Sequence, residues 1–425
     1  MLVNSSAAPK LIVIGQGYVG LPLAVRAVEA GYDVIGIDFD QRRIDALNRG
    51  ESYVEDISND ALTAARDSGR YRATNSYDEA AGFDYAVITV PTPLKDSLPD
   101  LSFIESSGAS LAPHITPGAT VVLESTTYPG TTQELLIPIL EQGSGLTAGS
   151  DFHVGYSPER IDPGNQKFSF KTTPKIVSGI DEASLKRVDQ LFSDLVDRTV
   201  PVSTPREAEM AKLLENTFRH VNIALVNELA VFAHELGVNV WEAIDAAATK
   251  PFGYMKFTPG PGVGGHCLPI DPSYLSWKVR TELGRNFRFV ELANDVNEHM
   301  PDHVVQRTMH LLNDEGKALK GSNVLLVGVA YKKDSGDSRE SPALRIIELL
   351  GQYGARVLGV DSHVEDHRWP AGAERVELTP DTLAEADVVI VVTDHSDIDL
   401  SLLVDAPLPV FDTRNSVQGS NIHRL

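Results

Sequence analysis

One cysteine stands in this chain of 425 residues, Cys267, and its setting is GVGGHCLPID. Gly264 and Gly265 let backbone or a ligand come close to the thiol. A lone cysteine is commonly a small buried apolar group, but this glycine-rich loop suits a nucleophile equally well. Asp271 follows four residues on and shares a face with Cys267 if a helix begins there. A carboxylate alone raises a thiol's pKa, so thiolate chemistry needs a cation nearby. Lys212 and Asn216 form a second i, i+4 pair, within a long helical pattern. An ammonium and an amide on adjacent turns can hold a developing oxyanion, although a solvated helix face has the same spacing. Glu159 follows Tyr156-Ser157-Pro158 at the end of a strand-like run, where it is either a general base or an acid opening a helix. His266 comes without the ligand cluster a metal site needs, so no metal is expected.

A separate pattern concerns phosphate. Gly15-x-Gly17-x-x-Gly20 stands between an apolar run, Leu11 to Ile14, and a helix-like segment reaching about Ala30. Gly15 suits the tight turn, Gly17 the approach of a pyrophosphate, and Gly20 close helix–strand packing, while the helix N-terminus offers free amide donors. Tyr18 and Val19 complete the loop. Asp38 ends the next strand, Asp33 to Ile37, where it can accept from ribose hydroxyls and repel a 2′-phosphate. NAD is therefore expected rather than NADP. Pro91-Thr92-Pro93 follows another strand's carboxyl end, the edge where open α/β sheets bind ligands.

The elements that must position these groups fall into three parts. Strands at Tyr85 to Val90 and Thr120 to Glu124, with helices between, give the first part a parallel sheet. Pro205 to Leu236 reads as one long helix without internal Gly or Pro, and Trp241 to Ala248 as another. The last part returns to α/β, with strands Asn323 to Val327, Arg356 to Val360 and Asp387 to Val392. DVIGID (33–38) resembles RVLGVD (356–361), and DYAVITV (84–90) resembles DVVIVVT (387–393). The expected fold class is α/β: two Rossmann-like parallel-sheet domains, 9–204 and 318–425, joined by a central long-helix region, 205–315. Gly328 opens no matching fingerprint, so the C-terminal sheet is expected to take a mononucleotide or none.

Composition narrows the function classes. With 37 basic and 59 acidic residues the net charge is −22, which opposes nucleic-acid binding but not binding an anion at a local positive site. A single cysteine permits no internal disulfide and fits a reducing compartment. There is no signal-peptide pattern and no run long enough to span a bilayer, so a cytoplasmic protein is expected.

Taken together, GQGYVGLPLA (15–24), ESTTYPGTT (124–132), YSPER (156–160), AKLLENTFR (211–219), GVGGHCLPIDP (262–272) and SRESPAL (338–344) make the chain resemble the UDP-glucose/GDP-mannose dehydrogenase family over nearly its whole length. The resemblance implies two NAD-dependent hydride removals at C6 of a nucleotide-sugar, with Cys267 forming first a thiohemiacetal and then a thioester that water releases. It implies Lys212 and Asn216 as oxyanion donors, Asp271 as positioning or activating water, Glu159 as the acid/base, and Thr126 as orienting water or substrate. Arg43, Thr92, Pro93 and Thr126 join the cofactor set. Arg160, Phe252, Tyr254, Gly264 and Arg339 join the substrate set. A second glutamate usual in UDP-glucose enzymes is replaced here by Pro163, which looks like the branch acting on UDP-N-acetylhexosamines. A homodimer through the long helix is also implied. Three rivals differ in kind: a two-electron hydroxy-acid dehydrogenase, which needs no Cys267, a non-catalytic nucleotide sensor, and a structural protein whose Cys267 only fills its core.

Overall fold

The computed structural model describes residues 8–95, 98–161, 167–265, 268 and 270–425. Two compact units divide it, residues 1–215 and 216–425.

In the first unit, eight strands form one sheet: β1 Lys10–Ile14, β2 Asp33–Ile37, β3 Tyr71–Thr74, β4 Tyr85–Ile88, β5 Thr120–Leu123, β6 His153–Tyr156, β7 Lys175–Gly179 and β8 Thr199–Pro201. Their order is β8-β7-β6-β5-β4-β1-β2-β3. The pairs from β3 through to β6 are parallel, as is β7 with β8, but β6 and β7 run antiparallel. β1, β4 and β5 are apolar and buried almost throughout, as strands covered on both faces must be. Helix α1, Gly20–Glu29, packs Leu21, Leu23, Ala24 and Val25 into the core that also holds Leu11 and Val13. Helix α2, Glu182–Leu195, adds Val188, Leu191 and Phe192 to it.

Two predicted strands are shorter than the apolar runs suggested. β4 stops at Ile88 because Thr89 turns its hydroxyl onto the Ile14 and Gly15 carbonyl oxygens, at 2.9 and 2.8 Å. β5 stops at Leu123, and Glu124 turns toward Lys175.

Helix α3, Pro205–Glu235, is the predicted long helix, and the division between units falls inside it. The second unit continues with α4 Val240–Ala248, α5 Asp271–Leu283 and α6 Arg288–Asp314. The 27-residue α6 has Pro301 inside it; it falls in the central helical region expected over 205–315, although no individual helix is predicted at these residues. A six-stranded parallel sheet follows: β9 Asn323–Val327, β10 Arg356–Val360, β11 Ala373–Arg375, β12 Val388–Val391, β13 Val410–Asp412 and β14 Ile422–Arg424. Its order, β11-β10-β9-β12-β13-β14, is the Rossmann order, reversing direction beside β9. Helix α7, Pro342–Gln352, packs on this sheet through Ala343, Ile346 and Leu350. Among the described residues no helix is long and apolar enough to cross a membrane.

Candidate active site

The fingerprint lies at the carboxyl edge of the first sheet. Gly15 has φ +93°, and a Cβ there would meet the Thr89 carbonyl oxygen at 2.8 Å. A Cβ on Gly20 would lie 1.8 Å from the Gly15 carbonyl oxygen, so only glycine lets α1 start this close to β1. Beside Gly17 there is nothing within 4 Å of a would-be Cβ, leaving room for a phosphate. α1 has no side-chain cap and no acid in its first turn, so the positive end of its dipole faces the loop unneutralised and favours an anion there. The buried Asp38 accepts from Gln16 N at 2.9 Å and from Asp40 N at 3.0 Å, with Arg43 at 3.5 Å. Arg43 in turn covers the Tyr53 ring. Thr92 and Pro93, both half-buried, follow β4 at this same edge.

Gln16 is a loop residue that the sequence reading passed over. Its side chain is fully buried, donates to the Val13 and Gly15 carbonyl oxygens and accepts from Tyr71 Oη at 2.9 Å. It fixes the loop from beneath.

Further along the edge, the loops after β5 and β6 carry Glu124, Thr126 and Glu159. Because β7 runs antiparallel to β6, it starts where β6 ends, and its first residue, Lys175, reaches both acids. Lys175 Nζ pairs with Glu124 Oε1 and lies 3.1 Å from Glu159 Oε2. Glu159 Oε1 also accepts from the backbone N–H of Arg160, at 2.6 Å, and of Ile161. Glu159 lies in a loop, so it does not open a helix. Burial opposes its ionisation, but the Lys175 charge and the hydrogen bonds it receives prevail and hold its carboxyl below the ordinary range. Burial drives Glu124 the other way, upward.

Lys212 on α3 is buried, 7 % exposed, and donates to the Glu159 carbonyl oxygen at 3.1 Å. That burial removes the solvated-face reading. Of the three ammonium protons, two remain for a ligand among the described residues. Glu209, three residues earlier on α3, anchors the loop after β5 by accepting from Gly130 N (2.6 Å), Thr132 N (2.9 Å) and Thr132 Oγ1 (2.7 Å). Arg160 is committed to structure: it forks onto Glu215 and donates to the Pro174 carbonyl oxygen at 2.7 Å.

In the second unit, Asn216 donates from Nδ2 to Asp271 Oδ2, and Asp271 is 2 % exposed. Helix α5 begins at Asp271 itself, so it does not supply the helical face that would join Asp271 to Cys267. Cys267, His266 and Pro163 lie outside the described residues. A buried amide network places the start of the glycine-rich loop: Asn227 donates to Asn297 at 2.9 Å and accepts from Gly260 N at 2.9 Å. The loop then packs on the SRESP segment, where a Cβ on Gly264 would meet the Glu340 carbonyl oxygen at 2.6 Å. Arg339, half-exposed, forks onto Asp337 at 2.9 and 2.8 Å and lines, with Arg368, a cavity of about 540 Å³. Phe252 and Tyr254 flank Gly253, Phe252 being 71 % exposed.

Asp334, His363 and His395 converge within 4.8 Å. His395 is already committed on both ring nitrogens, Nδ1 accepting from Asp334 N and Nε2 meeting Asp361 Oδ2 at 2.9 Å, so it offers no lone pair to a metal.

Comparison with known proteins gives the family. Residues 9–196 match the NAD binding domain, 206–299 the central domain and 325–419 the UDP binding domain of one family. The chain is 34% identical over 391 residues to a UDP-N-acetyl-D-mannosamine dehydrogenase of Pyrococcus horikoshii, covering 91% of this chain and 89% of that protein. It is 35% identical to an NDP-N-acetyl-D-galactosaminuronic acid dehydrogenase of Ralstonia solanacearum, with 90% of each covered. A solved UDP-D-ManNAc dehydrogenase structure from Pyrococcus horikoshii superposes with a TM-score of 0.89 at 31% identity, covering 98% of both chains. The chain belongs to the UDP-glucose/GDP-mannose dehydrogenase family.

Proposed function

We propose that this protein is an NAD-dependent nucleotide-sugar 6-dehydrogenase that oxidises the C6 hydroxyl of a UDP-N-acetylhexosamine to the carboxylate. The observation that carries the reading is the pairing along α3. Lys212 bonds the backbone of Glu159, and one turn later Asn216 bonds Asp271. Two oxyanion donors thus each touch an acid of the reaction set.

Bound NAD supplies the hydride acceptor for both oxidations, and the Gly15–Gly20 loop with Asp38 suits its pyrophosphate and ribose. In the first oxidation Glu159 takes the hydroxyl proton as the aldehyde forms. Cys267 then adds its sulfur to the aldehyde carbon, and Lys212 and Asn216 donate to the oxygen that gains charge. Glu159 releases the proton it took to solvent, and the second oxidation, with loss of the thiohemiacetal hydroxyl proton to solvent, leaves a thioester. Glu159, ionised again, then takes a proton from water that Thr126 and Asp271 orient and hands it to the leaving sulfur. The carbon–sulfur bond breaks and the cysteine returns. Arg339 binds the nucleotide-sugar from the C-terminal sheet, with Phe252, Tyr254 and Gly264 as further substrate contacts. Arg160 serves this site by holding Glu215 and the Pro174 loop.

The N-acetylhexosamine is favoured by the names of the relatives and by Pro163; UDP-glucose is the alternative. The functional division follows the same plan: 9–204 for NAD, 205–315 for dimerisation and catalysis, 318–425 for the nucleotide-sugar, in a cytoplasmic enzyme. A homodimer through α3 is supported by Phe218, Leu225, Leu229, Phe232 and Leu236, which form one stripe and are 45 to 77 % exposed. Leu229→Glu is expected to yield monomer in light scattering; an unchanged mass would remove α3 as the interface.

Stoichiometry tests the reaction. Two NADH per sugar acid are expected. One NADH would sink the four-electron reading, and none with intact ligand binding would leave a sensor. Cys267→Ser is expected to stall before the acid is released. Rates compared across UDP-N-acetylmannosamine, UDP-N-acetylglucosamine and UDP-glucose test the sugar, and a clear preference for glucose would overturn the assignment.

A further inference from the structure

The mechanism above leaves out Glu124, yet its surroundings are those of a working group. It is 1 % exposed, one oxygen meets Lys175 Nζ, and the other, Oε2, is buried with no donor facing it among the described residues. Glu159 is surrounded in the opposite way: its oxygens receive two backbone N–H groups and the same ammonium. Lys175 Nζ is walled by aromatic rings, 5.4 Å from the centre of Phe170 and 5.1 Å from that of Phe192.

Two carboxyl groups therefore share one ammonium away from water. With both ionised, the trio carries a net negative charge that the Lys212 ammonium offsets on the Glu159 side. That leaves Glu124 as the less compensated buried charge, and such a charge costs several kcal/mol. One proton restores neutrality, and the donor pattern decides where it sits. On Glu159 Oε1 it would have to displace a backbone N–H, and on Oε2 it would oppose the Lys175 ammonium that already donates there. On Glu124 it has Glu159 as an acceptor, because both carboxyl groups meet the same Lys175 Nζ and each acts on the other as a hydrogen-bond partner.

We propose that Glu124 is a positioning residue for Glu159: it stays neutral in its pocket, donates its proton to the Glu159 carboxylate, and with Lys175 keeps that carboxylate ionised and aimed for proton transfer. The upward push that burial gives Glu124 and the net downward hold on Glu159 agree with that arrangement. The groups acting on Glu124 are Lys175 and Glu159; those acting on Glu159 are Lys175, Glu124 and Lys212. In alkali Glu124 loses its proton, Glu159 loses its donor and gains a repelling neighbour, and turnover falls.

This proposal rests on the acid/base role given to Glu159, but its first test does not involve turnover. Infrared difference spectroscopy of the full chain, wild type against Glu124→Gln, is expected to show near neutral pH the carbonyl stretch of a neutral carboxylic acid that the variant lacks. Absence of the band, or its persistence in Glu124→Gln, would overturn the proposal. The second test is the pH profile of kcat. Glutamine is a neutral donor of the same shape, so Glu124→Gln is expected to lose the alkaline limb. Glu124→Ala, which removes the donor, is expected to move the acid limb up by about one pH unit, a tenfold change in Glu159 ionisation. Identical profiles for the two variants would show that only the Glu124 charge matters and would also overturn it. If the four-electron reading is the part that fails, NADH stoichiometry falls to one while the infrared band stays.

Discussion

The two Rossmann-like sheets share a plan and differ in what fills it. In the first, Gly15 turns at φ +93° beside Thr89; in the second, Gly328 turns at φ +84° beside Thr393. Asp38 accepts from Gln16 N at 2.9 Å, and Asp361 from Val329 N and Ala330 N at 2.8 and 2.9 Å. Beyond these likenesses they part. The first turn runs through open space at Gly17 into an uncapped helix at Gly20. After Gly328 come the fully buried Val329 and Ala330, and the next helix starts only at Pro342, capped by Ser341. Asp361 is saturated: besides those two N–H groups it takes His363 N, Val364 N and His395 Nε2. One loop keeps open space for a ligand beside Gly17, while the other fills its place with buried side chains. A repeated backbone plan thus does not carry a repeated ligand site.

Substitutions in the two turns and at their acids sharpen this contrast. Gly20→Val is expected to have the largest effect, because its Cβ would strike the Gly15 carbonyl. NAD affinity by calorimetry should fall roughly a thousandfold, about 4 kcal/mol. Gly328→Val, whose Cβ would meet the Thr393 carbonyl at 2.2 Å, should lower Tm and leave NAD affinity in place; a loss of NAD binding there would break the comparison.

Asp361→Asn comes next. It puts amide hydrogens against backbone donors, and denaturant unfolding should show a loss on the order of 3 kcal/mol. Burial raises the Asp361 carboxyl, but His395 and the backbone N–H groups outweigh it, and its pKa is lowered on folding. Its stabilisation is therefore complete above the unfolded value, about 4, and is lost as pH falls toward the lower folded value. The difference between wild type and Asp361→Asn should shrink across that acid window; a constant difference would remove the linkage.

Asp38→Asn should be the mildest, weakening NAD about tenfold and narrowing the preference over NADP, both read from initial rates. A large fall in Tm instead would make Asp38 as structural as Asp361.

Much of this molecule was legible from local pattern. β9 and β10 occupy the predicted residues, and α3 ends within a residue of its predicted limit, because unbroken apolar runs and helical periodicity are local properties. Helix α6 was not read. Its buried positions, Val290, Ala293, Asn297, Met300, Val304 and Leu311, keep helical spacing, but Asn297 breaks the apolar stripe and Pro301 reads as a breaker. The pairing of Lys212 with Glu159 and of Asn216 with Asp271 joins groups 53 and 55 residues apart, and the spacing of each residue along its own segment says nothing of its partner. Lys175 lacked any signal, standing in an ordinary strand opening.

By itself the sequence determined the strands, the long helix, the phosphate-binding turn and the residue types able to react. These follow from side-chain size, periodicity and the freedom of glycine, all of which act within a few residues. The tertiary structure decided which of two similar acids, Asp38 or Asp361, keeps room beside it for a ligand. It also decided that Lys175, by starting an antiparallel strand, meets Glu124 and Glu159 at one sheet edge. Burial and partner charge set what a carboxyl group does, and both are properties of distant chain segments brought together by the fold.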